Sequence, residues 1–183
     1  MRRIVPVLIG LTILFACGFL TTGCKEEDES GIIKAVAKGY WEALFRGQTR
    51  RAYEMLDSES QGFTVYTDYA RAVGLMPSQL PEIQEYWAAY YPHTLVEVHS
   101  VVIDKKTKTA VASLSLTQPD PTWFPDEAVA EAEELGLDGV EKGLFVLGKQ
   151  TEALKEGRVP IVQIPENTKL RKEEDKWRII YTR

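Results

Sequence analysis

The side chains of this chain able to do chemistry are few: two cysteines, two histidines, scattered carboxylates and a run of aromatic rings. Cys17 and Cys24 are its only thiols, and an ionised thiol is a nucleophile and a metal ligand. Both precede residue 25, so no thiol is left downstream for a disulfide, a zinc ribbon or a thiol protease. His93 and His99 fall on or beside one predicted strand. Their even separation puts them on one side of it, yet about 20 Å apart at 3.3 Å per residue, too far to share a metal ion. Either could act as a general base only if that strand faces a substrate. Asp57 and Asp68 sit near predicted helix ends, where capping accounts for them. There is no Gly-rich phosphate loop, Ser-centred nucleophile elbow or Cys-His pair, so no cofactor, metal or catalytic residue is expected.

The aromatic group is more suggestive. Tyr40, Trp41, Tyr53, Tyr66, Tyr69, Tyr86, Trp87, Tyr90 and Tyr91 all lie in the N-terminal half. Such rings join apolar bodies to polar tips, which suits a mostly apolar pocket with a few orienting groups. Tyr40, Tyr66, Tyr69, Trp87 and Tyr90 are the candidate pocket residues; the competing account makes the same rings a packed core.

What positions these residues begins with a leader. Arg2 and Arg3 precede an apolar run from Ile4 to Leu20, then Thr21-Thr22-Gly23-Cys24 and the charged Lys25-Glu26-Glu27-Asp28-Glu29. A basic start, an apolar core and a small residue before the cut mark an export signal. The run of about 17 residues is borderline for spanning a bilayer, which takes about 20. Thr-Thr-Gly-Cys resembles the lipobox of bacterial lipoproteins, in which cleavage between Gly23 and Cys24 leaves a diacylated cysteine as the first residue. Thr21 stands where that motif usually has Leu. Leu14-Phe15-Ala16-Cys17 is a second match, and a retained helical anchor is a third arrangement. Cleavage at Cys24 leaves a charged tether over residues 24–30, whereas cleavage at Cys17 leaves Gly18-Phe19-Leu20 beside the membrane. The resemblance implies a cell-envelope protein, lipid-anchored and extracytoplasmic. Lys25 after the cysteine, in place of aspartate, favours the outer membrane of a two-membrane envelope.

Without residues 1–23 the chain keeps 160 residues with 20 basic and 27 acidic side chains, a net charge of −7. That length suffices for one domain with its own core. The charge argues against nucleic acid as a partner.

The first predicted helix carries Ile32, Ile33, Val36, Ala37, Tyr40, Trp41, Leu44 and Phe45 as paired positions four apart, with Ser30 as its N-cap and Gly47 past its end. Thr49 caps a second short helix. Residues 59–76 follow helical spacing weakly, and a helix runs from Pro81 to Pro92. The period then drops to two. Leu95, Glu97, His99, Val101 and Ile103 alternate with Val96, Val98, Ser100 and Val102, and after a polar turn Ala110, Ala112, Leu114 and Leu116 continue the hairpin. Helices are expected over 126–135 and 138–156, and strands over 159–170 and 176–181. Helices first and antiparallel strands after is an α+β pattern, forming one domain over 31–183.

Three stretches, Ala35-Val36-Ala37-Lys38-Gly39-Tyr40-Trp41-Glu42-Ala43-Leu44 with Gly47-Gln48, then Arg51-Ala52-Tyr53-Glu54-Met55-Leu56, and the closing Arg171-Lys172-Glu173-Glu174-Asp175-Lys176-Trp177-Arg178-Ile179-Ile180, are similar to nuclear transport factor 2-like (cystatin-like) domains of small bacterial lipoproteins. The likeness covers roughly 31–118 and 159–183. It implies N-terminal helices packed on a curved antiparallel sheet, a cone with a pocket at its wide end. Residues 119–158 depart from that pattern as a helical insertion. The expected function is a membrane-anchored, non-enzymatic domain binding a small hydrophobic molecule or an envelope protein. The alternatives are an isomerase, dehydratase or hydrolase working in the cone, and a structural subunit that forms a homodimer through the sheet's convex face.

Overall fold

A computed structural model describes residues 24–73 and 80–182. The leader, with Cys17 and the Gly23 side of the cleavage site, and the turn at Pro77 lie outside the described residues. No helix among the described residues is long and apolar enough to cross a membrane.

Five helices come first: α1 (Cys24–Phe45), α2 (Thr49–Glu54), α3 (Ser58–Phe63), α4 (Tyr66–Ala72) and α5 (Pro81–Tyr90), followed by a 3-10 turn over Tyr91–His93. The strands β1 (Leu95–Asp104) and β2 (Thr109–Pro119) form a hairpin. Helices α6 (Asp126–Glu134) and α7 (Gly139–Lys155) interrupt the sheet, and β3 (Ile161–Glu173) and β4 (Lys176–Ile179) complete it. The sheet is antiparallel in the order β1-β2-β3-β4. The α+β class is therefore present, with two helices, α6 and α7, between β2 and β3.

Helix α1 lies across the sheet, and its stripe of Ile33, Ala37, Tyr40, Leu44 and Phe45 is buried there. These positions meet Val96 of β1, Ala112 and Leu114 of β2, Leu170 of β3 and Trp177 and Ile179 of β4 in one core. Removing an Ile or Leu side chain of this kind from water is worth about 1.5–3 kcal/mol. The helix ends in a Schellman motif: Gln48 N–H bonds the Ala43 carbonyl and Gly47 N–H bonds that of Leu44, both at 2.8 Å, with Gly47 at φ 66°.

Several expectations shift. Residues 24–30, read as a tether with Ser30 as the cap, instead form the first turns of α1. An acidic run suits this position, because carboxylates stabilise the positive end of the helix dipole. Glu29 also takes a hydrogen bond from Lys172 Nζ at 2.7 Å, which ties this end of the helix to β3. Thr49 is the first residue of α2, not its cap, and its buried hydroxyl meets that of Tyr66 at 3.1 Å. The weakly helical stretch resolves into α3 and α4, parted by extended Thr64 and Val65.

Strand β1 does not alternate without a break. A bulge between Val98 and Ser100 moves the inward phase from Val96 and Val98 to Val101 and Ile103. The extra residue is His99, which is exposed. The last strand is shorter than expected. Ile180 N–H still bonds the Lys169 carbonyl at 2.9 Å, but Tyr181 N–H goes to Ser60 Oγ at 3.0 Å. That bond draws the tail off β3 towards α3.

Candidate functional site

Between this departing tail, the C-terminal half of α1, the end of α5 and the middle of β3 lies a cavity of about 460 Å³. Helix α1 contributes Tyr40, Trp41, Leu44 and Phe45; α5 contributes Trp87 and Tyr90. Tail residues Ile179–Thr182 form the facing wall, β3 contributes Glu166, Asn167, Thr168 and Lys169, and Gln118 and Pro121 close one side.

The apolar wall is a chain of contacting rings. Tyr40 meets Trp41 edge-on at 5.6 Å, Trp41 and Phe45 lie 6.3 Å apart, Phe45 meets Tyr90 at 6.3 Å, and Tyr90 meets Trp87 at 5.3 Å. Spacings in this range are favourable, each worth about 0.5–1.5 kcal/mol beyond burial. Polar tips are held as well. Trp41 Nε1 donates to Thr168 Oγ1 at 2.8 Å, and Tyr90 donates to Gln118 Oε1 at 3.2 Å. Tyr69 donates to the Tyr40 hydroxyl at 3.1 Å, so Tyr40 keeps its own proton to offer. Burial pushes the Tyr40 hydroxyl up to about 12, and raises Tyr69 and Tyr90 further in the same direction. All three remain neutral donors at any ordinary pH.

Of the five candidate pocket residues, Tyr40, Trp87 and Tyr90 line this cavity; Tyr66 and Tyr69 do not. Tyr69 is fully buried behind Tyr40, packed edge-on against Tyr181 at 5.2 Å. Tyr66 clasps α4 to α2 through Thr49, with the Arg50 guanidinium 4.4 Å above its ring. Helical periodicity puts both on an inward face; it does not tell the face that meets a void from the one that meets a neighbouring helix.

The carboxylates and histidines singled out earlier are elsewhere. Asp57 is wholly buried and caps α3, taking the Ser60 N–H at 2.9 Å on Oδ1. Its Oδ2 lies 3.3 Å from Arg171 Nη1, close enough for attraction but without hydrogen-bond alignment. Asp68 pairs with Arg71 at 3.4 Å on an open surface. His93 sits in the 3-10 turn, and His99 meets Ser115 Oγ at 2.6 Å outside the sheet. Among the described residues no group of three or more His, Cys, Asp or Glu side chains is placed to hold a metal ion.

The residue missed is Glu166. It belongs to the inward phase of β3, shared with Thr168 and Leu170, and that alternation was the signal that could have revealed it. Its Oε1 takes the Asn167 N–H at 3.0 Å. No lysine or arginine lies within ion-pairing distance of it among the described residues. Lys169, which is also among the residues lining the cavity, belongs to the exposed, outward phase of the strand.

No family model, curated protein or solved structure matches this chain.

Proposed function

We propose that this is a lipid-anchored binding protein of the cell envelope, with a nuclear transport factor 2-like cone that takes a small, largely apolar molecule. The observation that carries this reading is the aromatic cavity of about 460 Å³, a size within the roughly 300–1,000 Å³ of ligand pockets. The neutral tyrosine hydroxyls, Gln118 and Glu166 supply the few polar groups that orient such a ligand.

In this proposal Cys24 carries the lipid at the start of α1, the helix whose far end lines the cavity. At about 1.5 Å per residue, Tyr40 stands about 24 Å along the helix from Cys24 and Phe45 about 32 Å. That length of helix separates the lipid attachment from the cavity wall. The envelope-protein partner is a second reading, supported by exposed Phe124, Leu135 and Val140 in and beside the insertion. An enzyme of isomerase type would rest on Glu166 as its base.

The test is a thermal-shift screen of neutral aromatic fragments on the full chain, set beside the Trp87→Ala variant. Fragments that raise the wild-type melting temperature should fail to raise that of the variant, since a ligand stabilises only what it binds. Equal shifts in both proteins would move the site elsewhere.

A further inference from the structure

The cavity holds a negative charge that the protein does not neutralise, and that charge says which ligands fit. Glu166 is the one acidic side chain among the lining residues. It lines the same cavity as Tyr40, Trp41 and Trp87. Its single protein partner among the described residues is the neutral Asn167 N–H on Oε1, which leaves Oε2 without one. The nearest lysine in sequence, Lys169, belongs to the opposite phase of the strand.

A carboxylate beside an aromatic wall, without a cation of its own, is incomplete in a particular way. Ring faces attract cations through their quadrupoles, tryptophan most strongly. A carboxylate forms its stronger hydrogen bonds with charged donors. A neutral apolar guest would shield Glu166 from water and return nothing; an anion would be repelled. We propose that the ligand is an organic cation, an aliphatic or aromatic amine whose ammonium group sits between Glu166 and the Trp41 and Trp87 rings while its apolar body fills the rest. This rests on the binding reading above and narrows it to one chemical class.

The experiment is isothermal titration of the full chain in detergent micelles with three probes of similar shape: 2-phenylethylammonium, 2-phenylethanol and 3-phenylpropionate. The ammonium should bind about tenfold more tightly than the alcohol, and the carboxylate most weakly. Glu166→Gln should erase the preference for the ammonium, costing it about tenfold more than it costs the alcohol, and micelle partitioning cancels between the two proteins. Should that variant not fold, Trp87→Leu serves, costing the ammonium more than the alcohol. An alcohol that binds as well as the ammonium, or a preference that survives Glu166→Gln, overturns the inference and leaves the binding site standing. If none of the three binds, the binding reading falls and takes the inference with it.

Discussion

Replacing Gly47 with alanine strikes the fold and the cavity together. Gly47 holds φ 66° in the motif that ends α1, and a Cβ there would lie 3.0 Å from both Cγ and Cδ1 of Trp87. The left-handed conformation alone costs an L-residue about 1–2 kcal/mol. The contact adds to this, because atoms of a packed ring must move, and a forced shift of this kind costs about 1–3 kcal/mol. Gly136 isolates the first effect: it has φ 70° in the same kind of helix end, with nothing within 4 Å of its Cβ. For a domain of this size 1 kcal/mol moves the melting temperature by about 2–4 °C. Gly136→Ala should therefore lower it by about 2–8 °C, and Gly47→Ala by about 4–20 °C when the two effects sum. Calorimetry on both variants measures the gap, and the fluorescence of Trp87 should change in the Gly47 variant alone. Equal melting temperatures would refute the claim that Trp87 is packed rigidly against this turn.

Asp57→Ala removes the cap of α3 and one of the two carboxylates beside Arg171, and urea denaturation should show a loss of about 0.5–2 kcal/mol, the cost of the cap. Asp57→Asn, which keeps a capping oxygen, should lose less. Tyr69→Phe deletes the bond to Tyr40 within a buried pair, with an expected loss of about 1 kcal/mol by the same measurement. Alkaline pH should destabilise the protein for a defined reason. Burial raises the Tyr40 pKa to about 12 in the folded protein, from its ordinary 10.0, so its protonated form favours folding. The contribution is whole below pH 10 and is lost as the pH rises through 12, and absorbance of tyrosinate tracked beside unfolding would display it. Finally, Cys24→Ser should release the protein from membranes and Cys17→Ser should not, as read by fractionation and by the mass of the N-terminal peptide.

The order of elements was legible because periodicity changes sharply along the chain. Tyr40, Leu44 and Phe45 repeat at helical spacing, Ala110 to Leu116 alternate, and Gly136 and Gly157 end helices where a left-handed residue is needed. Four features were less accessible. The acidic run over 26–29 reads as solvated because its composition is polar, yet its backbone is helical and Glu29 is tied to Lys172. The bulge at His99 leaves no mark in a count of apolar residues except that Val98 and Val101 are three apart. The cavity itself depends on where Tyr181 goes, and that is decided by one long-range bond to Ser60. No local pattern announces such a bond. Glu166 stayed hidden for a different reason: its place in the alternation of β3 was readable, but an acidic residue in an alternating strand is ordinarily a solvent-facing one.

The central claim is that small molecules enter the space between α1, α5 and β3. The most direct measurement is the indole N–H region of a nitrogen-15 spectrum during titration with 2-phenylethanol and 2-phenylethylammonium. Trp41 and Trp87 line the cavity, whereas Trp177 lies by the β3–β4 turn at the other end of the sheet. The account predicts that the Trp41 and Trp87 signals move and saturate together while that of Trp177 stays in place. Saturating shifts at Trp177 with Trp41 and Trp87 unmoved would contradict it.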